Sequence, residues 1–154
     1  MLFKEYLKEP EKSKQAFFGE WSSAGDMVRR DEDGYYVLVD RKANMIITGG
    51  ENVYPSEVES AVAAHEAVRD VAVIGIPDAK WGEMVKAVVV LHDGYKASDD
   101  LAKEIIESTK NKIAGFKRPK TLDFIKDEEM PRTPTGKILH RILREKYGTW
   151  SQQK

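Results

Sequence analysis

The chain has no cysteine. That excludes a disulfide-stapled scaffold, a thiolate zinc site and a cysteine nucleophile. Histidine is scarce: His65, His92 and His140 stand far apart, without the spacing of metal ligands. Each reads as a surface or helix-end residue, and no metal site is expected. Charge of one sign is also lacking, since 25 basic side chains meet 26 acidic ones and leave a net charge of -1. Neither nucleic acid nor an anionic membrane is therefore expected as a whole-surface partner. No apolar run approaches the ~20 residues of a membrane span, so no transmembrane segment is expected. Met1-Leu2-Phe3-Lys4-Glu5 is not followed by the apolar stretch of a signal peptide. The expected setting is reducing and cytoplasmic. A Walker loop is missing too, because Thr48-Gly49-Gly50-Glu51-Asn52 lacks the lysine that such a loop needs.

What is present is an ordinary globular balance. The 154 residues are 41% hydrophobic and 33% charged, enough for one domain or one domain with an appendage. The first 40 residues carry little sheet pattern. Pro10 opens a short helix expected to run to about Phe18 and stop at Gly19, with Trp21 to Asp26 as loop. Met27–Arg30 and Tyr35–Asp40 read as two strands joined by Asp31-Glu32-Asp33-Gly34. This segment is too small to bury a core and reads as the ragged end of something larger.

Asp40-Arg41-Lys42-Ala43-Asn44 is a polar break. After it come a strand (Met45–Thr48) ended by Gly49-Gly50, and a helix starting at Val53–Glu57 with Val58, Ala61, Val62 and His65 on its apolar face. Val68–Ile76 and Met84–Leu91 are strands, and the run Ala87-Val88-Val89-Val90-Leu91 implies burial on both faces. Ser98 caps a helix with an apolar stripe of Leu101, Ile105, Ile106 and Ile113, expected to end at Ala114-Gly115. Leu122–Ile125 is a last strand before the acidic turn Asp127-Glu128-Glu129. The fold class is α+β: a small sheet of about three strands with packed helices, preceded by a β-hairpin remnant.

Several loops suit anions and flat rings. They are the Gly49-Gly50 turn, Trp81, Phe116 with Arg118 and Lys120, and Lys137. In Pro131-Arg132-Thr133-Pro134-Thr135-Gly136-Lys137-Ile138-Leu139-His140-Arg141, the prolines hold an extended loop. The apolar spacing from Ile138 is helical. Thr135 is the expected N-cap, which would put Lys137 in the first turn, a place suited to a phosphate or carboxylate ligand.

Taken in order, Gly25-Asp26, Asp40-Arg41, Met45 to Glu59, Trp81-Gly82-Glu83, Phe116-Lys117-Arg118-Pro119-Lys120 and Pro131 to Lys137 resemble the end of an AMP-forming acyl-CoA synthetase. That family belongs to the superfamily of adenylate-forming enzymes, with luciferases and peptide-synthetase adenylation domains. The resemblance covers nearly the whole chain. It implies that residues 1–40 are the tail end of a large N-terminal domain and residues 41–154 a mobile C-terminal domain. The phosphate-binding Ser/Thr/Gly-rich loop, the acyl pocket and most of the adenine site would lie upstream of this stretch.

The resemblance implies an acid–thiol ligase. A carboxylic acid, a fatty acid by expectation, is activated with ATP as acyl-AMP and passed to CoA, with Mg2+ accompanying ATP and not held by this stretch. Lys137 would bridge the carboxylate and the α-phosphate. Asp26 and Arg41 would face the ribose of ATP or AMP. Gly49 and Gly50 would line the channel for the pantetheine arm, and Trp81, Phe116, Arg118 and Lys120 would sit near the CoA nucleotide. The hinge falls at Ala43, where the family commonly has Asp or Lys; a pivot needs only a backbone that tolerates two conformations. The partners implied are the acid, ATP, CoA and the N-terminal domain of the same enzyme, and the 154 residues alone would be inactive. Two other readings stand beside this one. The first is an adenylation domain loading a carrier protein, or a luciferase-like oxygenase. The second is a stand-alone CoA-binding or regulatory module without catalysis.

Overall fold

The computed structural model describes residues 4–148, so the reading of Met1-Leu2-Phe3 lies outside the described residues. The chain divides into two units, Met1–Ala43 and Asn44–Lys154.

The first unit opens with α1 (Pro10–Ala16), proline at its first position. The helix ends two residues before the expected Phe18. Phe17 is already extended, and β1 (Phe17–Phe18) pairs with β2 (Trp21–Ser22) in a minimal hairpin. Then β3 (Asp26–Arg30) and β4 (Tyr36–Arg41) pair antiparallel, with Asp26 opposite Arg41. The Asp31 carboxylate accepts the Tyr35 N–H at 2.8 Å and closes their turn. Phe18, Trp21, Val28, Tyr36 and Leu38 are all exposed. A two-stranded ribbon with bare apolar faces has no core of its own. A 3-10 turn, Lys42–Asn44, follows.

In the second unit, β5 (Ile46–Thr48) and β6 (Glu51–Val53) form a hairpin, and α2 (Pro55–Ala63) starts at its proline. The strand β6 corrects the expectation that the glycines lead directly into a helix. Gly49 and Gly50 have φ of +59° and +85°, as both central residues of a tight right-twisted hairpin turn require. Next come β7 (Val68–Asp78) and β8 (Gly82–Leu91), paired antiparallel over their whole length. The helix α3 (Asp99–Ser108) is capped by Ser98, whose hydroxyl accepts the Leu101 N–H at 3.2 Å. It stops six residues before the expected Ala114, and Asn111 turns left-handed at φ +65° just beyond it. The last strand, β9 (Thr121–Phe124), runs parallel to β8; a parallel neighbour needs a crossover, and α3 supplies it.

The α+β class is as expected, but the sheet is wider. Its body is β7-β8-β9, and the β5-β6 hairpin joins β8 through Thr48 opposite Gly82, making five strands. Expectation missed this because a three-residue strand between two glycines and a proline carries almost no periodic signal.

The run Ala87–Val90 is buried on both faces, as expected. On one face Val71, Val73, Ala87 and Val89 meet Val58 and Val62 of α2 and Ile105 of α3. On the other, Ala72, Ile74, Val88 and Val90 meet Met130 and Leu143. Leu143 belongs to α4 (His140–Tyr147). The helix therefore begins three residues after Lys137. Thr135 is not its N-cap: Leu139 occupies that position, with no side-chain cap.

Candidate functional site

In the first unit, the facing of Asp26 and Arg41 across β3 and β4 brings two predicted residues together. Arg41 Nε lies 3.6 Å from Asp26 Oδ1, and the guanidinium is mostly exposed. Such a pair offers a carboxylate acceptor beside a donor fork, a chemistry suited to hydroxyls. Ala43 is the last residue of this unit.

In the second unit, a groove of about 380 Å³ is lined by Gly49, Trp81, Met84, Val85, Phe116 and Lys120, among others. Four residues predicted from separate loops thus share one surface. The register explains why. Thr48 pairs with Gly82, which sets the Gly49-Gly50 turn against the β7–β8 connection. The Gly49 N–H donates to the Trp81 carbonyl at 2.8 Å, and the Trp81 N–H donates to Asp78 Oδ1 at 2.8 Å. A Cβ placed on Gly49 would lie 3.0 Å from Trp81 Cε3, so glycine is what lets the ring close over the turn. Trp81 is still half exposed, and Lys80 Nζ sits 4.7 Å from its ring centroid. On the facing wall the Lys120 N–H donates to the Val85 carbonyl, and its ammonium donates to the Gly115 carbonyl at 3.3 Å. A groove lined by Met84, Val85, two aromatic rings and the Lys120 cation, with the Glu51 carboxylate also in its lining, suits a flat ring with a phosphate that Lys120 can meet.

Two predicted members are not in this groove. Gly50 has no atom within 4 Å of a built Cβ and faces open space. Arg118 is committed elsewhere. Its Nη2 donates to the Ile106 carbonyl at 3.2 Å and to Glu107 Oε2 at 2.6 Å, and its Nε donates to the buried Thr109 hydroxyl at 3.3 Å. The guanidinium closes the C-terminus of α3, where a cation is favoured. It also holds the Glu107 carboxyl below its ordinary range, chiefly through that hydrogen bond, with a further one from Lys110. Lys117 is likewise occupied, paired with Glu57 at 2.7 Å. Of the three cations in residues 117–120, only Lys120 serves the groove.

Lys137 stands on a tight loop, not on a helix. The Gly136 N–H donates to the Thr133 carbonyl, the Thr133 N–H to the Lys137 carbonyl, and the Lys137 N–H to Thr133 Oγ1 at 3.1 Å. Gly136 has φ +85°. The Lys137 side chain is exposed, and among the described residues no hydrogen bond or ion pair holds its ammonium. The anion-favouring helix end invoked from sequence is not there. What remains is a cation on a hydrogen-bonded loop, without a partner among the described residues.

The sequence reading missed Met84 and Val85 as groove floor, and Lys80 over the ring. Adjacency to Trp81 was a signal for Lys80. The floor residues had none, because their strand pattern is that of any buried strand. Among the described residues no group of three or more His, Asp or Glu side chains could hold a metal ion, and no helix is long and apolar enough to cross a membrane.

Together these features define a small α+β domain with an open groove in one place and, among the described residues, an unengaged lysine in another. Residues 57–137 match the AMP-binding enzyme C-terminal domain family, and the chain belongs to that family. It is 45% identical over 147 residues to the long-chain-fatty-acid–CoA ligase FadD13 of Mycobacterium tuberculosis, covering 96% of this chain and 28% of that protein. It is 40% identical to a feruloyl-CoA synthase of an Amycolatopsis species, covering 96% and 29%. Among solved structures, ATP-bound MatB from Rhodopseudomonas palustris superposes with a TM-score of 0.84 at 38% identity, over 96% of this chain and 29% of that one. The chain thus spans under a third of the length of these relatives.

Proposed function

We propose that the chain is the C-terminal part of an AMP-forming acid–CoA ligase, with a fatty acid as the acid. The observation that carries this reading is the groove that gathers Gly49, Trp81, Phe116 and Lys120 from three separate loops. Its chemistry fits the nucleotide end of CoA. Residues 1–40 are read as the tail of the large domain: every fully buried hydrophobic side chain among the described residues lies between Ile46 and Leu143, so the first unit needs another surface to cover it. Residues 41–154 are the mobile domain, and Ala43 is the pivot.

In the first half-reaction a carboxylate oxygen attacks the α-phosphorus of ATP, the bond to the bridging oxygen breaks, and pyrophosphate leaves. Lys137 places its ammonium against the carboxylate and the α-phosphoryl oxygens, where negative charge must be held. Asp26 accepts from the ribose hydroxyls and Arg41 steadies that contact. ATP brings Mg2+ with it. In the second half-reaction the thiol of CoA loses its proton and attacks the acyl carbon, and AMP leaves. Gly49 lets the Trp81 ring close over the turn, Trp81 and Phe116 flank the base, and Lys120 meets a phosphate; Gly50, which faces open space, is left out of this contact. Arg118 is left out of this contact because its donors are used on α3.

The test is Lys137→Ala in the complete ligase. Adenylation, read as ATP–pyrophosphate exchange, should fall about 10²- to 10³-fold, the loss typical of one preorganised electrostatic donor. Thioester formation from supplied acyl-AMP should stay within about threefold. Equal loss in both half-reactions would refute the bridging role.

A further inference from the structure

The Lys137 loop is fastened at both feet to the same edge of the sheet. Its first foot is Arg132, which bridges to Ile138 across the loop. Arg132 Nη2 lies 2.5 Å from Asp70 Oδ2 and 3.0 Å from Asp127 Oδ1, and Arg69 holds the other oxygen of Asp127 at 3.0 Å. Its second foot is His140. His140 Nε2 lies 2.8 Å from Glu59 Oε1, and both side chains are largely covered. The same Glu59 oxygen accepts the Val73 N–H at 2.9 Å. A carboxylate that already accepts one donor takes a second from the imidazole, so Nε2 carries a proton here. Asp70 and Val73 both belong to β7, an edge strand of the sheet, and Glu59 belongs to α2. Residues 81 apart in sequence, Glu59 and His140, therefore set where the loop leaves the domain.

We infer that His140, through Glu59, and Arg132, through Asp70 and Asp127, are positioning residues for Lys137. Their side chains are engaged with Glu59, Asp70 and Asp127. The Lys137 side chain is long and has no partner of its own among the described residues, so its reach is set by the backbone on which it stands. Both feet are clamped to the edge strand, and the loop between them is closed by its own hydrogen bonds. The ammonium is thereby delivered from a fixed base, and a displacement of that base by about 1 Å costs a proximity-dependent step up to about a hundredfold. This inference rests on the reading of Lys137 as the adenylation cation.

The experiment uses the complete ligase, with both half-reactions assayed for Lys137→Ala, His140→Ala, His140→Gln and Arg132→Gln. His140→Ala should lower the adenylation kcat about ten- to a hundredfold, with the KM for ATP within about threefold and thioester formation from supplied acyl-AMP within about twofold. His140→Gln, whose amide N–H can still donate to Glu59, should recover at least about a third of the wild-type rate. Arg132→Gln should repeat the split independently of His140. Equal losses in both half-reactions, or no rescue by glutamine, would overturn the positioning role. If Lys137→Ala itself leaves adenylation intact, the parent reading fails. If Lys137→Ala is slow while His140→Ala and Arg132→Gln are not, only the inference drawn from the two feet fails.

Discussion

Replacing Gly49 by alanine should loosen the groove's hold on CoA about two- to tenfold, and the same change at Gly50 should not. Both residues are left-handed, at φ +59° and +85°, so either alanine carries a backbone cost of about 1–2 kcal/mol. They differ in what the new methyl meets. At Gly49 it would stand 3.0 Å from Trp81 Cε3 and 3.3 Å from Cζ3; at Gly50 nothing lies within 4 Å. Trp81 cannot retreat as a unit, because its N–H is bonded to Asp78 and its carbonyl to Gly49. The ring itself must shift by several tenths of an ångström. A base stacked on an aromatic side chain is worth about 1–3 kcal/mol, and a gap of that order forfeits a quarter to a half of a contact. The loss is then about 0.3–1.5 kcal/mol, which gives the stated range in Kd. Urea unfolding of both variants measures the shared backbone cost, and calorimetric titration with CoA measures the difference. Equal weakening in the two variants would show that Trp81 is not the surface CoA uses.

Two further predictions concern the scaffold. Leu143→Ala should cost about 2–5 kcal/mol in urea unfolding, since this leucine is fully buried between α4 and the sheet; a loss under about 1 kcal/mol would mean that α4 is not packed as described. Glu107→Gln should destabilise the domain at neutral pH. The Glu107 carboxyl is held below its ordinary range by Arg118, so its contribution is complete above the unfolded-state value and is lost as pH falls through the lowered one. The stability gap between wild type and Glu107→Gln should therefore close in acid, and a gap that survives at about pH 2 would refute the assignment, given that carboxylates are protonated there.

The strands and helices that bury a regular stripe were readable in advance. Val68–Ile76, Met84–Leu91 and the Ser98-capped helix fall where alternation, β-branching and capping put them, because those signals are local. The boundaries that failed were decided by partners far away. The hairpin β5-β6 joins the sheet where Thr48 meets Gly82, 34 residues away in sequence. The last helix starts late because Leu139 N–H bonds the Pro131 carbonyl and Arg132 pairs with Ile138, closing a loop where helical spacing had already begun.

The same division holds for the site. Sequence by itself singled out the candidate residues: two adjacent glycines, Trp81, the Phe116–Lys120 loop and Lys137 stand in one order that few chains would share by chance. It could not say which of them act together. Only the tertiary structure decided that Lys120 faces the groove while Arg118 and Lys117 turn to Glu107 and Glu57, and that Lys137 rides on a clamped loop. A side chain's identity is local, but its direction and its partner are set by the sheet register and by whichever opposite charge the fold brings within about 3 Å.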